Sequence, residues 1–179
     1  MIAIRSCETD QDFTVASVLM SELSVWDSAE TAKLGFSAQS ILDFYYAPGS
    51  GLPGAFAPPL GTTLLGYCDD EVGGCIAYRQ LKPNICELKR LYVRPCFRRT
   101  GLGRALVSDL IMRARAANFT RMRLETVSFM GAAIQMYEAM GFVRCAPYYA
   151  IPEIFLPITI FMEKNLVEPE SLPPASRGE

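Results

Sequence analysis

The stretch that decides the fold is CELKRLYVRPCFRRTGLGRALVSDLIMRARA, residues 86–116. Its first part has the composition of a β-strand, and from Leu102 onward apolar residues recur at helical spacing. Between the two lies an Arg-rich turn with the pattern RxxGxG, from Arg98 to Gly103. The first amides of a helix have no intrahelical acceptor, and the helix dipole adds partial positive charge there. The strand, turn and helix together predict an anion site of the kind that a phosphate group fills.

The side chains of this turn fit the same prediction. We expect Gly101 and Gly103 to allow unusual backbone dihedrals and a close approach of a pyrophosphate to the amides. Arg98, Arg99 and Arg104 would supply the positive charge.

The charge around the turn is uneven along the chain. Residues 79–123 hold 12 basic and 2 acidic side chains, a local charge of +10, whereas the whole chain has a formal charge of −2. A basic block inside an acidic protein predicts a local anion site rather than a nucleic-acid surface, so we expect no nucleic-acid partner.

Two other phosphate-binding loops are disfavoured by spacing. A Walker loop requires GxxxxGK followed by Ser or Thr, and the chain has no such segment. A dinucleotide-binding fingerprint would require Gly or Ala where Leu106 stands, although Glu125 does fall near the position of a ribose-binding acid.

Composition excludes several further classes. The chain has 179 residues, half of them apolar, which favours one folded domain. It has no histidine, so Ser-His-Asp and Cys-His nucleophiles and His-ligated metals are excluded, and we expect no metal. Its six cysteines form no CxxC pair and are expected as reduced thiols. With neither a long uncharged apolar stretch nor a secretory signal pattern, we expect a cytoplasmic protein without a membrane partner.

The predicted order of elements is strand, two helices, three antiparallel strands, helix, strand, helix and two strands. This order predicts an α/β or α+β fold with a single mixed, mostly antiparallel sheet flanked by helices. The first helix is expected to be capped by Thr9 or Asp10, and residues 47–61 to form a Pro/Gly-rich loop. Pro157, inside the last predicted strand, indicates an edge position or a bulge. We expect a domain over residues 1–164 and a disordered tail over residues 165–179.

Four pieces of the sequence carry a resemblance to a known family. They are ELKRLYV at residues 87–93, RRTGLG at residues 98–103, the helix that follows, and AAIQMYEAMGF at residues 132–142. The chain resembles the GNAT superfamily of N-acetyltransferases over residues 73–142, and its predicted element order extends the likeness to residues 2–164. The resemblance implies an acyl-CoA N-acyltransferase fold and acetyl-CoA as cosubstrate.

The resemblance also implies the cofactor-binding residues. The pyrophosphate would sit on the amides from Arg98 to Arg104, and the pantetheine arm would pair with the strand at residues 91–93. The complete set is Leu91, Tyr92, Val93, Arg98, Arg99, Thr100, Gly101, Leu102, Gly103, Arg104 and Ala133. One position departs from the pattern, because many relatives carry Asn where Met130 stands.

Acetylation of an amine requires removal of a proton and stabilisation of an oxyanion. Glu87 is the candidate base, acting directly or through water, because it is the only carboxylate in the central strands and is expected on the same face as Leu91 and Val93. The alternative is a strand carboxylate paired with Lys89 or Arg90. By resemblance, the amide of Val93 would donate to the oxyanion.

Tyr137 allows two interpretations. It falls in a stripe with Ala133, Met136 and Met140 at helical spacing, which is typical of a core aromatic. In the resemblance, a Tyr at this place in YEAMGF protonates the thiolate that leaves.

These features together predict an N-acetyltransferase that transfers the acetyl group of acetyl-CoA to an amine by direct attack in a ternary complex. A covalent route through Cys86 or Cys96 is disfavoured because neither has a His partner. The alternative is a non-catalytic acyl-CoA-binding sensor. The acceptor stays open, as does the choice between monomer and homodimer. The aromatic residues before the loop either wall the acceptor site or belong to the core; they are Trp26, Phe44, Tyr45 and Tyr46.

Overall fold

The structure is a computed structural model that describes residues 1–46 and 51–167. Within these ranges the α-helices and β-strands are β1 (Ile2–Ser6), α1 (Asp10–Ala32), α2 (Ala38–Tyr45), β2 (Gly61–Cys68), β3 (Glu71–Lys82), β4 (Ile85–Val93), α3 (Leu102–Ala116), β5 (Arg121–Val127), α4 (Gly131–Ala139), β6 (Val143–Arg144) and β7 (Thr159–Asn165).

All the strands belong to one sheet, in the order β1-β2-β3-β4-β5-β7-β6. Among the strands of the described residues, only β4 and β5 pair in parallel, and each of the other neighbouring pairs is antiparallel. The predicted fold class, a mixed and mostly antiparallel sheet flanked by helices, is confirmed.

Local signals place the first helix and the strand turns. The Thr9 side chain accepts a hydrogen bond from the Asp12 amide, and the Asp12 carboxylate accepts one from the Thr9 amide. Such a capping box stabilises a helix start by about 1 kcal/mol. Asp69 and Asp70, which join β2 to β3, have φ of 47° and 68°, as a two-residue hairpin requires. The predicted meander from β2 to β4 is confirmed.

The two faces of the sheet carry separate clusters of buried residues. One face packs against α3 and α4, with Leu106, Leu110 and Tyr137 in the cluster. The other packs against α1, with Leu19 and Leu23. The first helix continues to Ala32, beyond the expected stretch ending at Trp26, and so reaches across the sheet as far as β4.

The start of α3 is fixed to the sheet through Leu102, which is fully buried. Gly66 on β2 and Gly73 on β3 leave room for it, because a Cβ built at either would lie 2.8 Å from a Leu102 methyl. The packing of Leu102 therefore fixes the position of the turn before α3 relative to β2 and β3.

The last strand differs from the prediction. A 3₁₀ turn occupies Glu153–Phe155, and β7 begins only at Thr159, so Pro157 lies before the strand. The strand is not at an edge, since it pairs with both β5 and β6. The prediction that Pro157 lies inside the last strand, at an edge position or a bulge, is wrong. A residue without an N–H does not fit a ladder that has neighbours on both sides.

The folded part continues to the end of the described residues. Leu166 is buried, and its amide donates to the Thr120 carbonyl oxygen at 2.8 Å. The expected domain end at residue 164 falls inside β7. Residues 47–50 of the predicted loop and residues 168–179 of the predicted tail lie outside the described residues.

Candidate active site

A β-bulge interrupts β4 at Arg90. Cys75 of β3 pairs with Tyr92, but Ala77, two residues along β3, pairs with Lys89, three residues along β4. The extra residue on β4 coincides with Arg90, whose φ is 63°.

The bulge reverses the alternation of side chains along β4. Leu88 packs in the cluster under α3, and after the bulge so do Leu91 and Val93. Glu87 therefore faces the opposite side, towards α1. The expectation that Glu87 shares a face with Leu91 and Val93 is wrong, because it assumed unbroken alternation through the strand.

A gap opens between the two parallel strands of the sheet. Their pairing ends at Leu88 and Leu124, although β4 continues to Val93 and β5 to Val127. Beyond this point each strand lacks a partner on the side that faces the other.

The backbone of Val93 points into this gap. Val93 pairs with Gly74, and the next residue, Arg94, donates its amide to the Gly73 carbonyl oxygen at 2.9 Å. Since hydrogen-bonded and non-bonded pairs alternate in an antiparallel ladder, the N–H of Val93 is directed away from β3. It therefore lies where the strands separate.

A cavity of about 100 Å³ occupies the gap and reaches residues on both sides of the sheet. Its walls come from α1, α2, β4, β5 and α4 with the turn before it. They are Leu23, Asp27, Thr31, Ile41, Tyr45, Tyr46, Leu88, Lys89, Arg90, Leu91, Glu125, Thr126, Val127, Phe129, Met130 and Tyr137.

The start of α3 is an open set of amide donors. Gly101, with φ of 94°, precedes the helix and provides no side-chain cap. The first intrahelical bond runs from the Ala105 amide to the Gly101 carbonyl oxygen, at 3.0 Å. The earlier amides, those of Leu102, Gly103 and Arg104, therefore have no intrahelical acceptor, although the Leu102 amide donates to the Thr100 hydroxyl oxygen at 3.4 Å. The amides of Gly103 and Arg104 suit an anion.

Gly103 does not have the unusual backbone conformation that we expected. It lies inside α3, and a Cβ added there would meet Val93 Cγ2 at 3.6 Å, an ordinary contact. Of the two glycines in the turn, only Gly101 requires positive φ.

The polar side chains of the turn divide into two groups. Thr100 donates its hydroxyl to the Phe97 carbonyl oxygen at 2.7 Å, which holds the turn closed. Arg98 donates Nε to the Val93 carbonyl oxygen at 3.1 Å, and its guanidinium lies 5.5 Å from the centre of the Trp26 ring. The other two arginines, Arg99 and Arg104, are exposed beside the helix start.

Three of the expected cofactor residues have side chains turned into the protein. Leu102 is fully buried, and Tyr92 is buried on the α1 side of the sheet. Ala133 is partly buried against the α3 cluster and does not line the cavity. Only the backbone of Leu102 and Tyr92 is available to a ligand.

Tyr137 combines both of its expected environments. Its side chain is 4% exposed, and its ring packs edge-on against Phe142 at 5.6 Å. It also lines the cavity, and its hydroxyl has no hydrogen-bond partner within residues 1–46 and 51–167. Burial raises the pKa of the phenol above its usual value, so it stays protonated.

Glu87 is fully buried, and its carboxylate is neutralised by neighbours. Arg79 donates Nε to Oε2 at 2.8 Å, and Tyr148 donates its hydroxyl to Oε1 at 2.9 Å. Lys89 Nζ lies 3.7 Å from Oε1. Glu87 does not line the cavity.

Two carboxylates that we did not predict do line the cavity. Lys89 binds Oε1 of Glu125, and the buried Oε2 has no partner in the part of the chain that the structure describes. Tyr46 donates its hydroxyl to Oδ2 of Asp27, and the buried Oδ1 is likewise without a partner there. Burial raises the pKa of Asp27 to about 6, although the Tyr46 hydrogen bond and the Arg90 charge oppose the rise.

One of these carboxylates had a signal in the sequence. In RMRLETV, residues 121–127, charged residues alternate with Met122, Leu124 and Thr126, which predicts a charged face that includes Glu125. Asp27 had no such signal, because only the length of α1 carries it over β4.

The aromatic residues before the loop fall into both expected classes. Tyr45 and Tyr46 line the cavity, whereas Phe44 is half-buried and stacks on Phe155 at 5.2 Å. Trp26 packs against Phe129, with ring centres 6.1 Å apart.

Neither a metal cluster nor a membrane helix is found in the described ranges. No group of three or more Asp, Glu, Cys or His side chains there is arranged to hold a metal ion. No helix in residues 1–46 and 51–167 is long and apolar enough to cross a bilayer.

Comparison with known families gives one match over residues 26–142, to the acetyltransferase (GNAT) family. The chain belongs to the GNAT acetyltransferase family. This GNAT chain is 35% identical, over 115 residues, to an uncharacterized N-acetyltransferase of Schizosaccharomyces pombe, with 62% of this chain and 68% of the relative covered. It is 41% identical over 68 residues to an uncharacterized N-acetyltransferase of Dictyostelium discoideum, of which it covers only 32%.

Solved structures agree with the family and with the fold. A protein from Klebsiella pneumoniae, described as an acyl-CoA N-acyltransferase, is 28% identical, with a TM-score of 0.68 over 93% of this chain and 99% of that one. A protein from Salmonella typhimurium, described as an acetyltransferase and solved with acetyl-CoA, shares the fold. It is 20% identical, with a TM-score of 0.57 over 97% of this chain and 98% of that one. The GNAT chain is an acetyl-CoA-dependent acetyltransferase, and acetyl-CoA is its cosubstrate.

Proposed function

We propose that this GNAT enzyme transfers the acetyl group of acetyl-CoA to an amine by direct attack in a ternary complex. The observation that carries the proposal is the cavity in the β4–β5 gap, which has walls from both sides of the sheet. Such a cavity allows acetyl-CoA to enter from the side of α3 and α4 and an acceptor from the side of α1 and α2. The two reactants can then meet without a covalent enzyme intermediate.

The start of α3 fits the pyrophosphate of acetyl-CoA. The amides of Leu102, Gly103 and Arg104 lack intrahelical acceptors, and Gly101 presents no Cβ beside them. Arg99 and Arg104, whose side chains are exposed beside these amides, add positive charge. The unpaired edge of β4 at residues 91–93 fits the amide groups of the pantetheine arm. Acetyl-CoA supplies an activated thioester carbonyl.

Two groups in or beside the cavity suit the two ends of the reaction. The N–H of Val93, directed into the gap, would donate a hydrogen bond to the thioester carbonyl oxygen as negative charge develops there. The Tyr137 hydroxyl would give its proton to the thiolate sulfur that leaves. The buried ring would hold this hydroxyl in place.

The contacts of Glu87 favour a positioning role over a direct base. Both of its oxygens accept hydrogen bonds, and it does not reach the cavity. It lies 3.7 Å from Lys89 Nζ, which binds Glu125 on the cavity wall. We therefore propose that Glu87 orients Lys89 and, through it, Glu125.

The state of the cysteines supports direct transfer. Burial raises the pKa of Cys86 to about 12, so it is a thiol rather than a nucleophilic thiolate at neutral pH. Cys96 is exposed in the turn before α3 and does not line the cavity. The oligomeric state, the cytoplasmic location and the absence of nucleic-acid and membrane partners stay predictions.

The proposal is tested by thiol release from acetyl-CoA with simple amines of several classes. We expect release that depends on both the enzyme and an amine. Calorimetry should show acetyl-CoA binding that is stronger than that of dephospho-CoA and weaker at high salt, since charged groups hold the phosphates. Tight binding without release for any amine would instead favour the acyl-CoA sensor.

A further inference from the structure

We propose that Asp27 binds the ammonium group of the acceptor and accepts its proton, with Glu125 as a second anionic contact. The substrate class is therefore a primary alkylamine that is cationic at neutral pH. This inference rests on the proposed acetyl transfer to an amine and adds the residue that recognises and activates that amine.

The first argument is the pattern of unmet hydrogen bonds. Asp27 on α1 and Glu125 on β5 line the same cavity, and each has one oxygen bound within the protein. The other oxygen of each is buried without a partner among the described residues. The Glu125 side chain is only 7% exposed. A buried acceptor without a donor costs free energy, so such atoms are expected where a ligand brings the donor.

The second argument is the charge inside the cavity. The titratable groups that line it are Asp27 from α1, Tyr45 from α2 and Tyr46 directly after it, Lys89 and Arg90 from β4, Glu125 from β5 and Tyr137 from α4. Lys89 is already bound to Glu125, and Arg90 acts on Asp27 without cancelling the effect of burial. The charges of Asp27 and Glu125 both raise the pKa of Tyr45, after burial, which is the largest cause. Both carboxylates thus act on one small volume, although Lys89 and Arg90 balance their charge. The attraction for an ammonium therefore rests on the two carboxylate oxygens that have no partner among the described residues.

The third argument is the shape of the remaining walls. Tyr45 and Phe129 present aromatic rings, and Leu23 and Ile41 present aliphatic groups. The Tyr46 ring also lines the cavity, with the Arg90 guanidinium 4.5 Å from its centre. Aromatic faces attract ammonium groups, and aliphatic walls suit an alkyl chain.

Asp27 is better suited than Glu125 to take the proton. Glu125 has Lys89 bound to it, which stabilises its charge. Asp27 is held by the Tyr46 hydroxyl, and the Arg90 charge lowers its pKa without overcoming the effect of burial. With a pKa near 6, it is ionised at pH 7.5 and a stronger base than an ordinary carboxylate.

The proton balance is as follows. An N–H bond of the ammonium breaks and the proton goes to Oδ1 of Asp27, which leaves a lone pair on the nitrogen. The nitrogen forms the new bond to the thioester carbonyl carbon, and the C–S bond breaks. Tyr137 protonates the sulfur and becomes a phenolate. The nitrogen of the adduct then loses its second proton, which restores the Tyr137 hydroxyl, and Asp27 releases the first proton to solvent. One ammonium and one thioester thus give one amide, one thiol and one proton.

The test compares Asp27→Asn with wild type on two acceptors at pH 7.5, n-butylamine, which is cationic, and 4-methoxyaniline, which is neutral. We expect kcat/KM for butylamine to fall by about 10²-fold or more, because the variant neither binds the cation nor accepts a proton. For the neutral arylamine the loss should stay below about threefold, since no proton must be removed before attack. The matched control is Asp43→Asn on the exposed face of α2, which should leave both values unchanged. Equal losses for the two acceptors would overturn the proposal.

A second measurement does not depend on turnover. The carboxyl carbon of Asp27 is followed by NMR in ¹³C-aspartate-labelled enzyme with CoA bound, during a pH titration with and without n-butylammonium. We expect butylammonium to lower the pKa of Asp27, because it stabilises the carboxylate. An unchanged titration at saturating CoA would overturn the assignment. Failure of acetyl-CoA to bind in calorimetry would instead contradict the proposed function itself.

Discussion

The two sides of the sheet at β4 offer a ligand different polar groups. On the side of α3 and α4, the residues under the strand are apolar, and the polar groups available to a ligand are backbone amides at Val93 and at the start of α3. On the side of α1, the charged side chains include the fully buried Glu87 and the half-buried Asp27 and Glu125, which line the cavity. The side that we propose for acetyl-CoA, called the acetyl-CoA side below, thus offers backbone geometry. The side that we propose for the acceptor, called the acceptor side below, offers charges gathered from distant parts of the chain.

Two carboxylates on the acceptor side differ in how many of their oxygens have a hydrogen-bond partner. Glu87 has hydrogen bonds to both oxygens and a nearby lysine. Asp27 has one oxygen bound and the other without a partner in the described part of the chain. A fully paired buried charge holds structure, whereas a half-paired one is available for a ligand.

The largest expected effect is the loss of stability in Glu87→Gln. Removing the charge leaves Arg79 and Lys89 without their shared anion, and breaking a buried pair costs about 3 kcal/mol. Urea unfolding measures this loss. The matched control is Glu138→Gln, whose partner Arg144 is 3.8 Å away at the surface and whose cost should be below about 0.5 kcal/mol. Equal stability of the two variants would show that the charge of Glu87 does not stabilise the fold.

Tyr137→Phe separates the ring from the hydroxyl. The ring should keep its packing against Phe142, so the melting temperature and acetyl-CoA affinity should stay near wild type. The kcat should fall by about 10²-fold, because the leaving thiolate loses its proton donor. Tyr78→Phe, which changes a buried tyrosine that does not line the cavity, is the control and should keep its kcat. A Tyr137→Phe enzyme as fast as the control would make Tyr137 a core residue only.

Asp27→Asn should change stability in the direction opposite to Glu87→Gln. Its folded-state pKa is raised from 3.8 to about 6, so the ionised form destabilises the fold above that pH. A shift of about two units corresponds to about 3 kcal/mol, and residual solvent access reduces the expected gain in the variant to about 2 kcal/mol. The gain should be present at pH 7.5 and nearly lost at pH 3, which lies below both the folded-state pKa and the ordinary value of 3.8, so that the carboxyl is mostly protonated in both the folded and unfolded states. Unfolding curves at the two pH values measure it, and a variant less stable than wild type at pH 7.5 would contradict the account.

Gly101→Val tests the backbone side of the comparison with the smallest expected effect. A β-branched residue at φ of 94° is strained by about 1 to 2 kcal/mol, so relief of the strain should move the α3 amides. We expect acetyl-CoA to bind about tenfold more weakly, with the KM for the acceptor unchanged. Gly35→Val is the control, since its φ of 86° imposes similar strain far from α3 and should leave acetyl-CoA binding intact. Calorimetry with equal affinities for the two variants would argue against the pyrophosphate assignment.

Much of the acetyl-CoA side was predictable because its signals are local. The strand, the Gly101 turn and the helix from Leu102 follow one another in the chain, and Thr9 marks the start of α1. Each element depends on residues within a few positions of it, which is where propensity and capping operate. The family resemblance rested on the same local segments.

The acceptor side was not predictable because its geometry is not local. The bulge at Arg90 places a non-glycine residue at φ of 63° without any turn signal, and it decides which face Glu87 occupies. The meeting of Asp27 with Glu125 depends on the length of α1 and on the insertion of β7 beside β5. Tyr148, which donates a hydrogen bond to Glu87, comes from the segment between β6 and β7, 61 residues away in sequence.

The most direct test of the central claim is a single-turnover reaction followed by intact-mass spectrometry of the protein. Enzyme in excess is mixed with acetyl-CoA, in the presence or absence of n-butylamine, and the reaction is quenched at short times. The masses of the protein and of the small molecules are then measured. The account predicts that the protein mass never increases by an acetyl group, and that N-butylacetamide forms in step with free CoA only when the amine is present. An acetylated protein that disappears on addition of the amine would contradict direct transfer through the β4–β5 gap.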